Sequence, residues 1–185
     1  MSHIRFASAL AMPFALALLV APVAQQGFSA PVQASALMAQ AQVAPKYRDI
    51  SRDLVKQGET ALEAAEGQDE AKKARALFEQ ALVANPANVS ALMGLGRSYE
   101  ALEQLGRALK YYRHALELAP NNREALKRQA LVFLQRDLPE RARHNRDRLS
   151  RLCDSACAPL TAVEEALMVH ASDTAAKNQK TDDGR

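Results

Sequence analysis

The feature that most constrains this chain is its likeness to itself at a spacing of 34 residues. At that offset Ala74, Ala108 and Ala142 fall in one column, and Phe78 and Tyr112 in another. Ala81 aligns with Ala115, Pro86 with Pro120, Gly96 with Ala130, and Tyr99 with Phe133. Small residues stand where two helices must approach closely. An aromatic ring fills the gap between neighbouring units. Proline, which cannot continue a helix, closes each unit. A period of this length marks stacked supersecondary units, none of which buries its apolar face alone. Burying one Leu or Phe contributes about 1.5–3 kcal/mol, so stacking supplies most of the stability. Alanine is abundant and β-branched runs are scarce, which favours helices over strands.

The stretch LGRSYEALEQLGRALKYYRHALELAP resembles the tetratricopeptide repeat, with Leu95, Gly96, Tyr99, Ala108, Tyr112, Ala115 and Pro120 at its signature positions. The preceding unit matches in its second half, through Ala74, Phe78, Ala81 and Pro86. Its first helix, expected over 49–65, is followed by the extra residues EGQ. The third unit keeps Ala130, Phe133 and Ala142, but has Arg146 in the aromatic column and Asp154 in the proline column. The resemblance implies an all-α fold: a short α-solenoid of about three helix–turn–helix units with a C-terminal capping helix. The repeats are placed near 47–87, 88–121 and 122–153, within a domain over 46–172.

Helix boundaries follow from local signals. Asn88 and Asn122 are expected N-caps, and Asp137, before Leu138 and Pro139, is expected to start a sixth helix. TAVE, from Thr161 to Glu164, has capping-box spacing and is expected to open a seventh over 160–172. That helix sets Leu160, Val163 and Leu167 on one face. The polar residues 173–185 are expected to be disordered.

Gly94 and Gly96 form a G-x-G, which raises the question of a phosphate-binding loop. The third glycine of G-x-G-x-x-G, a G-K-[ST] ending and a preceding strand are all lacking, so Gly96 is read as a packing residue. His3, His114, His144 and His170 are scattered without catalytic or ligand spacing, and neither H-E-x-x-H nor G-x-S-x-G occurs. No enzymatic activity, cofactor or metal is expected. Glu63, Glu66, Asp69 and Glu70 are read as solvated surface, or as carboxylates favouring the positive start of the second helix.

The N-terminus has the layout of a secretory signal: MSHIR, then an uncharged Ala/Leu-rich stretch over 6–24, then small-x-small sites ending at Ala24, Ala36 and Ala41. A signal over 1–24, with cleavage as late as 41, is expected to precede an Ala/Gln-rich spacer over 25–45. Periplasmic location follows, or membrane anchoring if the signal is retained. Pro13 and Pro22 argue against the anchor.

In tetratricopeptide folds the first helix of each unit lines a concave groove. By position, Ser90, Met93, Arg97 and Glu100 would face it from the second unit, and Glu124, Lys127, Leu131 and Leu134 from the third. The alternative for Leu131 and Leu134 is core packing against the last helix. A protein partner in the cell envelope is expected there, using apolar anchors and a carboxylate contact. Gly94 and Glu124 stand where the family's carboxylate clamp needs Asn and Lys, so chaperone-tail binding is not expected.

The span 123–152 holds nine Lys or Arg against four acids: Arg123, Lys127, Arg128, Arg136, Arg141, Arg143, Arg146, Arg148 and Arg151. It reads as a solvated face, with an acidic partner or anionic membrane surface as alternatives. Nucleic acid is not expected, because aromatic stacking residues are few. Self-association stays open. CDSAC places Cys153 and Cys157 four residues apart. In a regular helix such residues hold their β-carbons about 6 Å apart, whereas a disulfide needs about 3.5–4.5 Å. A bond therefore requires a helix break, which Asp154, Ser155 and Pro159 allow. A structural disulfide pinning the last helix is favoured over a redox pair. A C-x-x-x-C beyond the last repeat is also similar to that of small exported tetratricopeptide proteins of Gram-negative bacteria, including tight-adherence pilus assembly factors. The role this implies is an envelope adaptor or scaffold in assembly of a secretion or pilus machine.

Overall fold

The computed structural model describes residues 43–65, 67–153 and 157–182. The expected signal and nearly all of the spacer, together with Glu66, Asp154 and residues 183–185, lie outside the described residues. Seven helices and no strand are present among the described residues: α1 (Pro45–Glu63), α2 (Gln68–Ala84), α3 (Val89–Ala101), α4 (Leu105–Leu118), α5 (Arg123–Gln135), α6 (Pro139–Leu152) and α7 (Ala158–Asp182). They pack as three hairpins, α1–α2, α3–α4 and α5–α6. Each hairpin stacks on the next through α2–α3 and α4–α5, and α7 closes the stack against α5 and α6.

The small-and-aromatic columns explain this packing. A Cβ on Gly58 would sit 2.7 Å from Phe78 Cε1, and one on Gly94 would sit closer still to the same ring. Phe78 on α2 thus lies between α1 of its own hairpin and α3 of the next, and only glycine leaves room on either side. Gly96 gives Tyr112 the same space inside the second hairpin. Ala71, Ala74, Ala81, Ala108, Ala115, Ala125, Ala130 and Ala142 are fully buried, with Leu92, Leu95, Leu126, Val132 and Leu149 around the rings. Buried Ser51 donates to the Ala81 carbonyl at 2.8 Å and accepts from Asn88 Nδ2 at 2.7 Å, tying α1 to the α2–α3 junction. In the third hairpin, buried Asn145 on α6 donates to Gln129 Oε1 on α5 at 2.9 Å.

Asn88 and Asn122 act as N-caps, accepting from the Ala91 and Ala125 N–H groups at 3.2 and 3.0 Å. Three boundary expectations are corrected. Asp137 does not cap α6. It has φ 56°, as Glu103 has φ 57° one period earlier, and both are left-handed residues that end the preceding helix. The N–H groups of Gln104 and Leu138 then reach back to the Tyr99 and Phe133 carbonyls at 2.8 and 2.9 Å. Leu138 takes the α6 N-cap position, with Pro139 in the first turn. Thr161 does not open α7 either. The helix begins at Ala158, and Thr161 Oγ1 donates back to the Cys157 carbonyl at 3.4 Å from inside the first turn. Finally, α7 runs to Asp182, past the expected end at 172. Thr174 to Lys177 are exposed but form an unbroken helical run containing two alanines, which local propensity supports without burial.

Cys153 and Cys157 are joined by a disulfide with Cα atoms 5.8 Å apart. Cys153 is the extended cap that ends α6, so the helix break needed for the bond falls there. Both cysteines pack on the edge of the core that contains Leu160 and Val163.

Candidate functional site

The first helices of the hairpins come together on one face. There Glu59 of α1, Val89, Ser90, Met93 and Arg97 of α3, and Asn122, Glu124 and Arg128 at the start of α5 line a cleft of about 240 Å³. Met93 is buried in its floor and Ser90 is exposed at its rim. The walls are charged, but the charges are paired. Arg97 is hydrogen-bonded to Glu59, and Arg128 donates through Nε to Glu124 at 3.0 Å and lies 3.8 Å from Glu100. Lys127 Nζ sits 2.7 Å from the other Glu124 oxygen.

Beneath this layer, the Tyr112 hydroxyl donates to Glu100. Burial pushes the Glu100 carboxyl above its ordinary range, outweighing the hydrogen bond from Tyr112 and the nearby Arg128 and Arg97. Burial, then the adjacent Glu100, pushes the Tyr112 phenol far upward, so it stays a donor. Burial acts on Glu124 in the same direction, yet hydrogen bonds from Lys127 and Arg128 outweigh it and hold that carboxyl below its ordinary range.

Of the groove residues expected from sequence, Ser90, Met93, Arg97 and Glu124 line the cleft. The others do not. Glu100 is drawn under the surface by Tyr112 and Arg128, with its side chain 17% exposed. Lys127 reaches the site only through its pair with Glu124. Leu131 is half-buried outside the lining, and Leu134 is buried in the core shared with Leu160 and Val163. Leu134 therefore packs as core, the alternative already open for it. Four lining residues were missed. Glu59 escaped because the first helix is out of register with the 34-residue period. Gly58 lies 38 residues before Gly96, and Glu59 correspondingly 38 before Arg97, so the pair joins equivalent positions on adjacent helices. Val89, Asn122 and Arg128 were legible only through the stacking itself.

Among the described residues, no group of three or more His, Cys, Asp or Glu is placed to hold a metal ion. His114 and His144 are exposed, and His170 Nε2 on α7 lies 3.0 Å from Asp137 Oδ1. The basic run is largely engaged. Arg141 lies 5.6 Å over the Phe133 ring, Arg143 pairs with Glu140, and Arg148 donates to the Pro120 carbonyl at 2.7 Å.

Stacked helical hairpins with a cleft across their first helices define a solenoid of the protein-interaction class. The tetratricopeptide-repeat family model matches residues 60–123 and again 95–145, so that span carries tetratricopeptide repeats. Among curated proteins, no sequence matches it. Among solved structures, that of a MamA mutant is similar, with a TM-score of 0.51 and 20% identity, covering 66% of this chain and 85% of that one. At that identity the likeness is one of fold. The chain is thus a protein–protein interaction scaffold built from tetratricopeptide repeats.

Proposed function

We propose that this chain is a non-catalytic adaptor of the periplasm that holds an extended segment of another envelope protein in the α1–α3–α5 cleft. The observation that carries this reading is a cleft walled by three successive repeats, with Met93 as its apolar floor and its charges already paired. Glu59 and Glu124 balance Arg97 and Arg128, so charge alone selects little. A bound segment is held by an apolar anchor on Met93 and by polar contacts along the rim, as extended peptides are in preformed grooves. This departs from the carboxylate contact expected from sequence, since Arg97 and Lys127 both have carboxylate partners within the chain. Export rests on the secretory layout of the N-terminus, and a role in assembling a secretion or pilus machine rests on the C-x-x-x-C resemblance.

The test uses intact cells. A photo-crosslinking residue at Glu124, on the cleft wall and 45% exposed at the side chain, reports adducts in the cleft, and cell fractionation reports location. Ser90→Trp fills the rim without disturbing buried side chains and is expected to abolish the adduct while leaving the thermal midpoint unchanged. Unaltered adduct formation would show that partners bind elsewhere. Recovery of the mature chain in the cytoplasm would remove the envelope part of the proposal.

A further inference from the structure

A second surface lies at the far end of the stack. Arg143 and Arg146 of α6 and Glu164, Leu167, Met168 and Ala171 of α7 line a cleft of about 280 Å³. Its origin is visible in the repeat. In the first two hairpins a ring, Phe78 or Tyr112, fills the space toward a neighbouring helix. In the third hairpin the same column holds Arg146. No ring seals the α6–α7 joint, and the guanidinium lines an open cleft instead.

Three observations indicate what would enter it. The Arg146 Nε is buried and makes no hydrogen bond; Asp147 Oδ1 lies 2.8 Å away, but the N–H is not aimed at it. That Nε is sealed from solvent, but the Arg146 side chain is still 37% exposed, so the open part of its guanidinium is what an incoming oxygen would meet. Met168 and Val169 are 64% and 59% exposed, two of the five large apolar side chains that face solvent among the described residues. The cleft carries two arginines against the single carboxylate Glu164. This is unlike the α1–α3–α5 cleft, where lining charges balance. Arg143 is paired with Glu140 on its own helix but remains 45% exposed at the side chain, within reach of an incoming carboxylate.

We propose that the α6–α7 cleft is a second docking site, for a short acidic segment that inserts one large apolar side chain against Leu167 and Met168 and lays its carboxylates on Arg143 and Arg146. An anionic membrane fits less well. The surface offers only two exposed large apolar side chains, and exposed Glu165 and Asp173 on the same helix would face the lipid headgroups.

The experiment is selection of short random peptides displayed against the purified mature chain, followed by titration of the recovered peptides. Enriched sequences are expected to carry one large apolar residue within a run of Asp or Glu. Their affinity is expected to fall by about tenfold or more on Met168→Asp and on Arg143→Glu. Both replaced side chains are exposed, and circular dichroism checks that the helices remain. Ser90→Trp in the other cleft is expected to leave these peptides bound, which separates this site from the one above. Enrichment of neutral or basic peptides, loss of binding on Ser90→Trp, or no enrichment at all overturns the proposal. So does sedimentation with phosphatidylglycerol vesicles that is lost on Met168→Asp when no peptide binds, since the surface would then be a lipid contact.

Discussion

Glu100 shows how one residue can be sacrificed to the stack. Its carboxyl accepts from Tyr112 and faces Arg128, yet burial dominates and raises its proton affinity above the ordinary value of 4.5. A carboxyl raised on folding contributes stability that is fully present below that ordinary value and is lost as pH rises through its folded value. Glu100→Gln keeps an acceptor for the Tyr112 hydroxyl and removes the buried charge. The variant is expected to match the parent in urea midpoint near pH 4 and to gain on it as pH rises toward 7. A midpoint difference that stays constant across that range would show that the carboxyl carries no penalty. Glu124, held low by Lys127 and Arg128, works in the opposite sense: its contribution is present above the ordinary value and is lost as pH falls. The difference between these two acids was not legible in the sequence. They are similar carboxylates on the first helices of adjacent hairpins; deeper burial raises one, while hydrogen bonds from Lys127 and Arg128 hold the other low.

At the scale of helices, what could be read from the chain is what repeats. Gly96, Tyr99, Ala108, Tyr112 and Pro120 recur in column because each hairpin solves the same contact problem, so the order of helices and the core were legible. Departures from the period were not. The first helix runs four residues out of register with the period, which hid Gly58 and Glu59. The left-handed turn at Asp137 was mistaken for a cap because Asp serves both roles. Gly94 looked incidental beside the signature glycine. In the structure it faces Phe78, with Gly58 against the other part of the same ring. Alanine in a helix interior ordinarily gains about 1 kcal/mol over glycine. At position 94 the new methyl would meet a ring with no space to retreat, and overpacking of this kind costs about 1–3 kcal/mol. Gly94→Ala is therefore expected to lower the thermal midpoint. Gly106→Ala on α4, where nothing lies within 4 Å of the added Cβ, is expected to raise it. If both substitutions stabilise, the α2–α3 contact is looser than the geometry indicates.

The whole molecule is a one-dimensional stack, and its ends are held differently from its middle. The middle hairpin packs against a hairpin on each side, whereas the last has α4 on one side and the single helix α7 on the other, anchored through Leu160 and Val163 and linked to α6 by the Cys153–Cys157 bond. A bond closing so short a loop restrains the unfolded chain by about 2 kcal/mol on a chain-entropy account. Because each hairpin touches only its neighbours, that loss should remain local. Replacing both cysteines by Ser is expected to lower the unfolding free energy by about 2 kcal/mol. Amide exchange should accelerate in α6 and α7 but not in α1–α3, and the crosslink in the α1–α3–α5 cleft should persist. These outcomes distinguish a clasp from a working thiol pair. If the double variant kept its stability and exchange pattern but lost partner capture, or if the parent chain reduced a small disulfide substrate catalytically, the bond would belong to the protein's chemistry and not to its architecture.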